Sequence, residues 1–290
     1  MRRLALASIV MAALVTTACA VPRPPGEGLV RYRDQVFGSA SVTRDVTYGN
    51  APDLEGNNVE LKLDVYQPAG DTVTRRPAFV WVHGGGFTTG DKASGQSKAT
   101  YFARLGYVVV SINYRLLSPD GCGGNPDPTP VCETAALAAQ HDAQAAVRFL
   151  RRYADTYGVD PDRIAIGGGS AGAVTSLLVN WRSEDPGESG HPGYPSKVRA
   201  AVSQSGGIPT NEFIDAGDSP AIFFHGTEDQ TVFYHWAVSN AGAMYNAGIF
   251  TVLYPFEGAG HGLSGSHAAV MNQQSTYFLF FAMDLANAAR

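Results

Sequence analysis

The stretch that most constrains this chain is Arg163-Ile-Ala-Ile-Gly-Gly-Gly-Ser-Ala-Gly-Ala173. Alternating apolar residues read as a strand. They run into three glycines and a serine, and the small-residue segment from Ala171 to Val179 reads as a helix. Gly168-Gly169-Ser170-Ala171-Gly172 therefore matches G-x-S-x-G between a strand and a helix, the context in which that pattern carries chemistry. The reason is crowding. So sharp a turn forces the serine into a strained backbone conformation, and positions two residues away must be small for strand and helix to approach. The turn pushes the hydroxyl out of the sheet and aims the free N–H groups of the helix N-terminus at whatever reacts there. A glycine-rich turn without chemistry, or a phosphate cradle, fits the same residues, so the rest of the chain has to decide.

The sequence around this turn alternates strands and helices. Strand signals lie at Val42–Tyr48, Val59–Tyr66, Pro77–His83, Tyr107–Asn113, Val198–Ser203, Ala221–Phe224 and Thr251–Tyr254, in addition to the strand before Ser170. Gly56-Asn57-Asn58 supplies a turn between the first two, which predicts an antiparallel start. Helices are expected at Gln96–Arg104, Glu133–Tyr157, Val232–Ala247 and Ser266–Ala288. The pattern predicts an α/β fold with a mainly parallel eight-stranded sheet covered by helices on both faces. With 290 residues, 44% of them hydrophobic and 16% charged, the chain can bury a large core. We see neither an internal repeat nor a second domain. The expected organisation is an export signal at 1–20, a proline-rich tether at 21–40 and one catalytic domain at 41–290.

Met1-Arg-Arg and the apolar run Leu4–Val15 form an export signal too short to span a bilayer. Thr16-Thr-Ala-Cys19 resembles a lipobox, in which Cys19 would be acylated; Ala18-Cys-Ala20 also fits cleavage before Val21. The protein is thus expected in a bacterial periplasm, on the cell envelope as a lipoprotein, or outside the cell. A membrane tether would come only through a lipid on Cys19. Either ending leaves Cys122 and Cys132 as a pair in an oxidising compartment, where a disulfide closing so short a loop would stabilise by about 3 kcal/mol in the chain-entropy model. The formal charge of −5 becomes −7 once Arg2 and Arg3 are lost. An acidic chain lacks the basic face that a nucleic-acid partner requires.

Four pieces of chemistry follow one another. His83-Gly-Gly-Gly-Phe87 ends a buried strand, and glycines there let backbone N–H groups face a ligand. Read with the serine turn, the oxyanion donors would be the N–H groups of Gly85, Gly86 and Ala171, with His83 and Gly84 ordering the loop. Ser170 needs a base within hydrogen-bond reach. Asp229 stands in a loop after an apolar strand, with Glu228 and Asp218 as alternative acids. His261, flanked by glycines, follows the last strand; the remaining histidines, His225 among them, sit in helical or polar contexts. The chain order serine, aspartate, histidine is that of the α/β-hydrolases, not of chymotrypsin or subtilisin. No H-E-x-x-H or close His/Asp cluster suggests a metal, and the chemistry implies no cofactor.

Together, His83-Gly-Gly-Gly-Phe87, Gly168-Gly-Ser-Ala-Gly172, His225-Gly-x-x-Asp229 and Gly260-His261 resemble an α/β-hydrolase of the carboxylesterase type. The likeness is to hormone-sensitive-lipase-like esterases and bacterial acetyl- and feruloyl-esterase relatives, over roughly residues 59 to 288. Asp142 resembles an aspartate on a helix of that group. Gly169 and Ala173 depart from it, where many members carry Asp and Gly. The resemblance implies a serine carboxylesterase acting on a small-molecule or polymer-borne ester through an acyl-enzyme, with Ser170, His261 and Asp229 as triad. A serine peptidase on the same fold and a non-catalytic hydrolase-fold binding protein are the alternatives. Only Gln204–Pro220 separates two strands where many lipases insert a lid, so no large lid is expected. The Cys122–Cys132 loop is expected to wall the cleft, and Arg182–Ser196 to form a second wall or a surface loop.

Overall fold

The computed structural model describes residues 20 to 288 apart from Ser118 and Pro126; the export signal and Cys19 lie outside the described residues. Eight strands form one sheet: β1 (Ala40–Pro52), β2 (Asn58–Pro68), β3 (Arg76–Val82), β4 (Val108–Ile112), β5 (Val159–Gly169), β6 (Ala200–Gln204), β7 (Ala221–Gly226) and β8 (Thr251–Phe256). Their order is β1-β2-β4-β3-β5-β6-β7-β8. β1 and β2 are antiparallel and β2 is antiparallel to β4, while every pairing from β4 to β8 is parallel.

The helices are α1 (Gln96–Leu105), α2 (Pro130–Arg152), α3 (Ala154–Tyr157), α4 (Ala171–Trp181), α5 (Tyr234–Asn246) and α6 (Ser266–Ala282). Strand side chains alternate between faces, and β3 shows the consequence. Ala78, Val80 and Val82 pack with residues of α2, α4 and α5, whereas Phe79 and Trp81 pack with residues of α1 and α6. Because both faces are covered, the central strands read as unbroken apolar runs.

Two expectations need correction. The helix read over Glu133–Tyr157 is interrupted at Tyr153, whose backbone leaves the helical region; a single further turn, α3, then ends on Gly158 in the left-handed conformation. Residues 21–40, read as a tether from their prolines, lie against the body instead. The N–H of Val21 donates to Gln274 Oε1 on α6 at 2.6 Å, Tyr32 is fully buried beside Tyr107, and Arg31 pairs with Asp71.

The parallel strands from β3 to β8 point the same way, so the segments that follow β3, β5, β7 and β8 meet at one edge of the sheet, where ligands bind in open α/β sheets. Val82 pairs with Gly168, Gly169 with Gln204, and Gly226 with Phe256. This register gathers the glycine loop, the serine turn, the acid loop and the last histidine. The segment between β6 and β7 carries turns but no helix, and no lid covers this edge among the described residues.

Candidate active site

Ser170 sits at φ 53°, ψ −122°, a conformation an L-residue adopts only when its surroundings impose it, at a cost of about 1–3 kcal/mol. Its N–H donates to Gln204 O at 2.8 Å, and its carbonyl accepts the N–H groups of Ala173 and Val174. The flanking glycines explain the packing. A methyl on Gly172 would lie 2.2 Å from Val82 O, and one on Gly168 would lie 2.4 Å from the Gly172 carbonyl. Gly169, by contrast, would meet only Gln204 O, at 4.0 Å, which explains why its departure from the family pattern leaves the turn intact. Ala173 is buried, and the room for it is made by Gly206, where a methyl would fall 2.4 Å from the Ala173 Cβ.

The hydroxyl of Ser170 lies 2.8 Å from His261 Nε2, and His261 Nδ1 lies 2.8 Å from Asp229 Oδ2. The Asp229 side chain is fully buried, while His261 keeps 26% exposure. Asp229 Oδ1 accepts the N–H groups of Thr231 and Val232 at 2.8 and 3.0 Å. Burial acts to raise its pKa, but hydrogen bonds from His225, His261 and Thr231 outweigh it and hold the carboxyl well below the usual range. The other two acids weighed from sequence are elsewhere: the Glu228 backbone N–H binds Ala259 O, and the Asp218 carboxylate binds the N–H of Asp215.

Two residues of this arrangement escaped the sequence reading. His225, the penultimate residue of β7, is fully buried and places Nε2 2.8 Å from Val232 O and 3.1 Å from Asp229 Oδ2. Its context is therefore a strand end beside the acid, and the His-Gly-x-x-Asp spacing was the available signal. Ser205, at φ 54°, donates through Oγ to the His261 carbonyl at 2.9 Å and so fixes the histidine loop from the end of β6.

The glycine loop stands over the serine turn. A methyl on Gly84 would fall 3.2 Å from the Ser170 Cβ. Gly85, Gly86 and Phe87 all have positive φ, at 120°, 60° and 62°. The Gly85 carbonyl accepts both Thr88 and Thr89 N–H groups at 3.0 Å. In a trans peptide the N–H opposes the C=O, so the Gly86 N–H faces away from that turn. Among the described hydrogen bonds, none is donated by the N–H of Gly85, Gly86 or Ala171. His83 is buried; its Nδ1 is 2.7 Å from Gly84 O and its ring stacks on Tyr114 at 4.4 Å. Burial lowers its pKa, against the opposing pull of the Gly84 carbonyl and Asp91. These contacts tie His83 to the loop's own backbone and to Tyr114.

A cavity of about 810 Å³ opens beside the turn, lined by Phe87, Val174, Leu178, Ile208, Phe213 and Trp236 together with much of the Cys122–Cys132 loop. Those cysteines form a disulfide, and their loop is one wall. From the stretch Arg182–Ser196 only Arg182 reaches the cavity. The remainder lies over α2, where Ser189 and Arg115 bind the buried Asp142 and Gly190 O accepts from Arg148. Asp142 thus ties the start of the segment after β4 to α2, since the Arg115 N–H also donates to it at 2.9 Å. Among the described residues, no group of three or more His, Cys, Asp or Glu side chains could hold a metal.

Residues 63–207 match the model of the family described as BD-FAE, half of the chain. The chain belongs to the BD-FAE family. The matched region holds the glycine loop and Ser170 and ends before Asp229 and His261. Among solved structures, the esterase Est2 from Thermogutta terrifontis with propionate bound is 27% identical, with a TM-score of 0.68 over 89% of this chain and 97% of that one. Lipase 1 of Geotrichum candidum is 31% identical over 188 residues, 60% of this chain and 32% of the lipase. A probable carboxylic ester hydrolase of Mycobacterium tuberculosis is 34% identical over 146 residues, 48% of this chain and 30% of its own length. The chain spans about a third of the length of these two curated relatives. As in other α/β-hydrolases, this BD-FAE chain carries Ser170, Asp229 and His261 just beyond the carboxyl ends of parallel strands.

Proposed function

We propose that the protein is a serine carboxylesterase that cleaves short-acyl esters, or ester groups standing exposed on a polymer, through an acyl-enzyme. The observation that carries this reading is the continuous hydrogen-bonded chain from Ser170 Oγ through His261 to Asp229, at 2.8 Å for each contact. In the reaction, His261 Nε2 takes the Ser170 proton as Oγ attacks the ester carbonyl carbon. The oxyanion is held by the N–H groups of Gly85, Gly86 and Ala171. His261 then gives its proton to the departing alkoxide. Water, deprotonated by the same nitrogen, attacks the acyl-serine; His261 then returns that proton to Ser170 Oγ as the carboxylic acid leaves. Asp229 keeps Nδ1 protonated and stabilises the imidazolium; no cofactor or metal takes part.

The short-acyl preference is supported by the small residues around Ser170 and by the solved structures of Thermogutta terrifontis Est2 with propionate and with butyrate. The uncovered site supports action on soluble or polymer-borne esters without activation at a lipid interface. Export is supported by the Cys122–Cys132 disulfide, which persists in oxidising compartments. The test is hydrolysis of p-nitrophenyl acetate, butyrate, octanoate and palmitate by the mature protein beside Ser170→Ala. Turnover that favours the short chains and vanishes in the variant is expected. Full activity in the variant would remove Ser170 from the mechanism, and a sharp rise in rate above the micelle concentration of palmitate would contradict the uncovered site.

A further inference from the structure

The disulfide-closed loop touches both halves of the catalytic apparatus, and it does so through backbone groups. On one side, the Cys122 N–H donates to Gly86 O at 3.1 Å. A methyl on Gly86 would stand 3.4 Å from the Cys122 nitrogen, so the two backbones are in contact. On the other side, the Gly124 N–H donates to Thr231 O at 2.8 Å. Thr231 is the residue whose own N–H binds Asp229 Oδ1. One loop therefore holds the carbonyl next to an oxyanion donor and, two residues on, the carbonyl of the residue that holds the acid.

What fixes the loop itself is also visible. Its entry is tied down by the Arg115 N–H and guanidinium on buried Asp142 of α2. Its exit is the first turn of α2, capped by the Thr129 side chain on the Cys132 N–H. Cys132 in that turn is bonded to Cys122, ten residues earlier. Between these points the described residues of the loop form no strand or helix, and its sequence, rich in glycine and proline, offers none. Without the covalent tie, a loop of this length has many other conformations besides the one that places Cys122 and Gly124 on these two carbonyls.

We propose that Cys122–Cys132 is a positioning element for catalysis: it anchors the loop to α2 so that Cys122 and Gly124 set the oxyanion loop and the acid loop in register. This inference rests on the esterase reading above. A residue pair acting this way should be felt in kcat more than in KM, because the contacts it sets are made to the transition state.

The experiment uses the mature protein, oxidised or treated with a trialkylphosphine, which takes up an oxygen from water as it converts the disulfide to two thiols; Cys122→Ala/Cys132→Ala is run alongside. Measured together are kcat and KM for p-nitrophenyl acetate, the rate at which a fluorophosphonate probe labels Ser170, and the far-UV circular dichroism at the assay temperature. Both disulfide-free forms are expected to stay folded, to label at least tenfold more slowly and to lose at least tenfold in kcat, with KM within about threefold. Reoxidation of the reduced protein is expected to restore the rates. Unchanged labelling in a folded, disulfide-free protein overturns the proposal. So does a loss of activity that only follows loss of the circular dichroism signal, since the disulfide would then hold the fold and not the site. Failure of the oxidised protein to label at Ser170 is a different result: it sinks the esterase reading, and the positioning role falls with it.

Discussion

His225 Nε2 lies 3.1 Å from Asp229 Oδ2, the same oxygen that His261 Nδ1 approaches to 2.8 Å. One carboxylate oxygen is thus shared by two histidines, one buried and one open to the cleft. The buried ring also binds Val232 O, so it closes the turn that presents the acid. Replacing His225 with Ala should lower kcat about tenfold with little change in KM, a loss of about 1.4 kcal/mol in transition-state stabilisation. It should also cost about 2 kcal/mol in stability, because buried partners lose their hydrogen bonds. Steady-state kinetics and urea unfolding of the variant measure both, and an unaltered kcat would remove His225 from the positioning of Asp229.

Asp229 also makes stability depend on pH. Its folded pKa is depressed below the ordinary value of 3.8, so its contribution is present in full above about pH 5 and drains away as the pH falls below 4 towards the folded value. Asp229→Asn should flatten the acid limb of a plot of unfolding free energy against pH. The same variant should lose about 10³- to 10⁴-fold in kcat at neutral pH through misdirection of the imidazole tautomer. Urea melts between pH 3 and 7 report the first effect, and ester hydrolysis the second.

Asp218 behaves in the opposite sense. Burial foremost pushes its carboxyl up to about 6, with the charge of Asp215 adding to it and the Asp215 N–H and Lys197 opposing it. The stability it contributes is complete below about pH 4 and is lost as the pH rises through 6. Asp218→Asn, which can still accept the Asp215 N–H, should therefore stabilise the protein at pH 8 and leave it unchanged near pH 3.5. After allowance for solvent screening of this half-buried group, the gain is about 1 kcal/mol, or about 2–4 °C in Tm. Calorimetry at the two pH values checks it, and an equal gain at both would contradict the assigned cause.

The glycines of the serine turn should differ sharply in tolerance. Gly172→Ala drives a methyl to 2.2 Å from a backbone oxygen of β3, and Gly169→Ala meets nothing closer than 4.0 Å. We expect the first to cost 3 kcal/mol or more and to abolish turnover, because backbone has to move under Ser170, and the second to fall within about 0.5 kcal/mol of the parent. Thermal melts of the two single variants are sufficient to compare them.

Much of this architecture could be read from the chain because its signals are local. The strands announced themselves as apolar runs, since both sheet faces are covered, and the serine turn because only glycine fits beside Val82 O. What stayed hidden depended on contacts between distant segments. Residues 21–40 look like a tether by composition, yet Tyr32 fills a place beside Tyr107 and Val21 reaches Gln274. The His-Gly-x-x-Asp spacing pointed to His225, but its contact with Val232 O depends on where β7 ends. The break at Tyr153 had no sequence marker, because Gly158, the residue that looks like a stop, does end a helical turn.

The N-terminal segment has no slack where it meets the body. Val21 is fastened to α6 by its own backbone N–H. Were Cys19 to carry a lipid, only Ala20 would separate it from that fastening, a span of about 7 Å at full extension. The protein would then ride against its bilayer as a fixed fitting and not as a float on a line. On the proposed esterase reading, esters would then have to arrive at the envelope surface, because the site could not sweep outward to meet them.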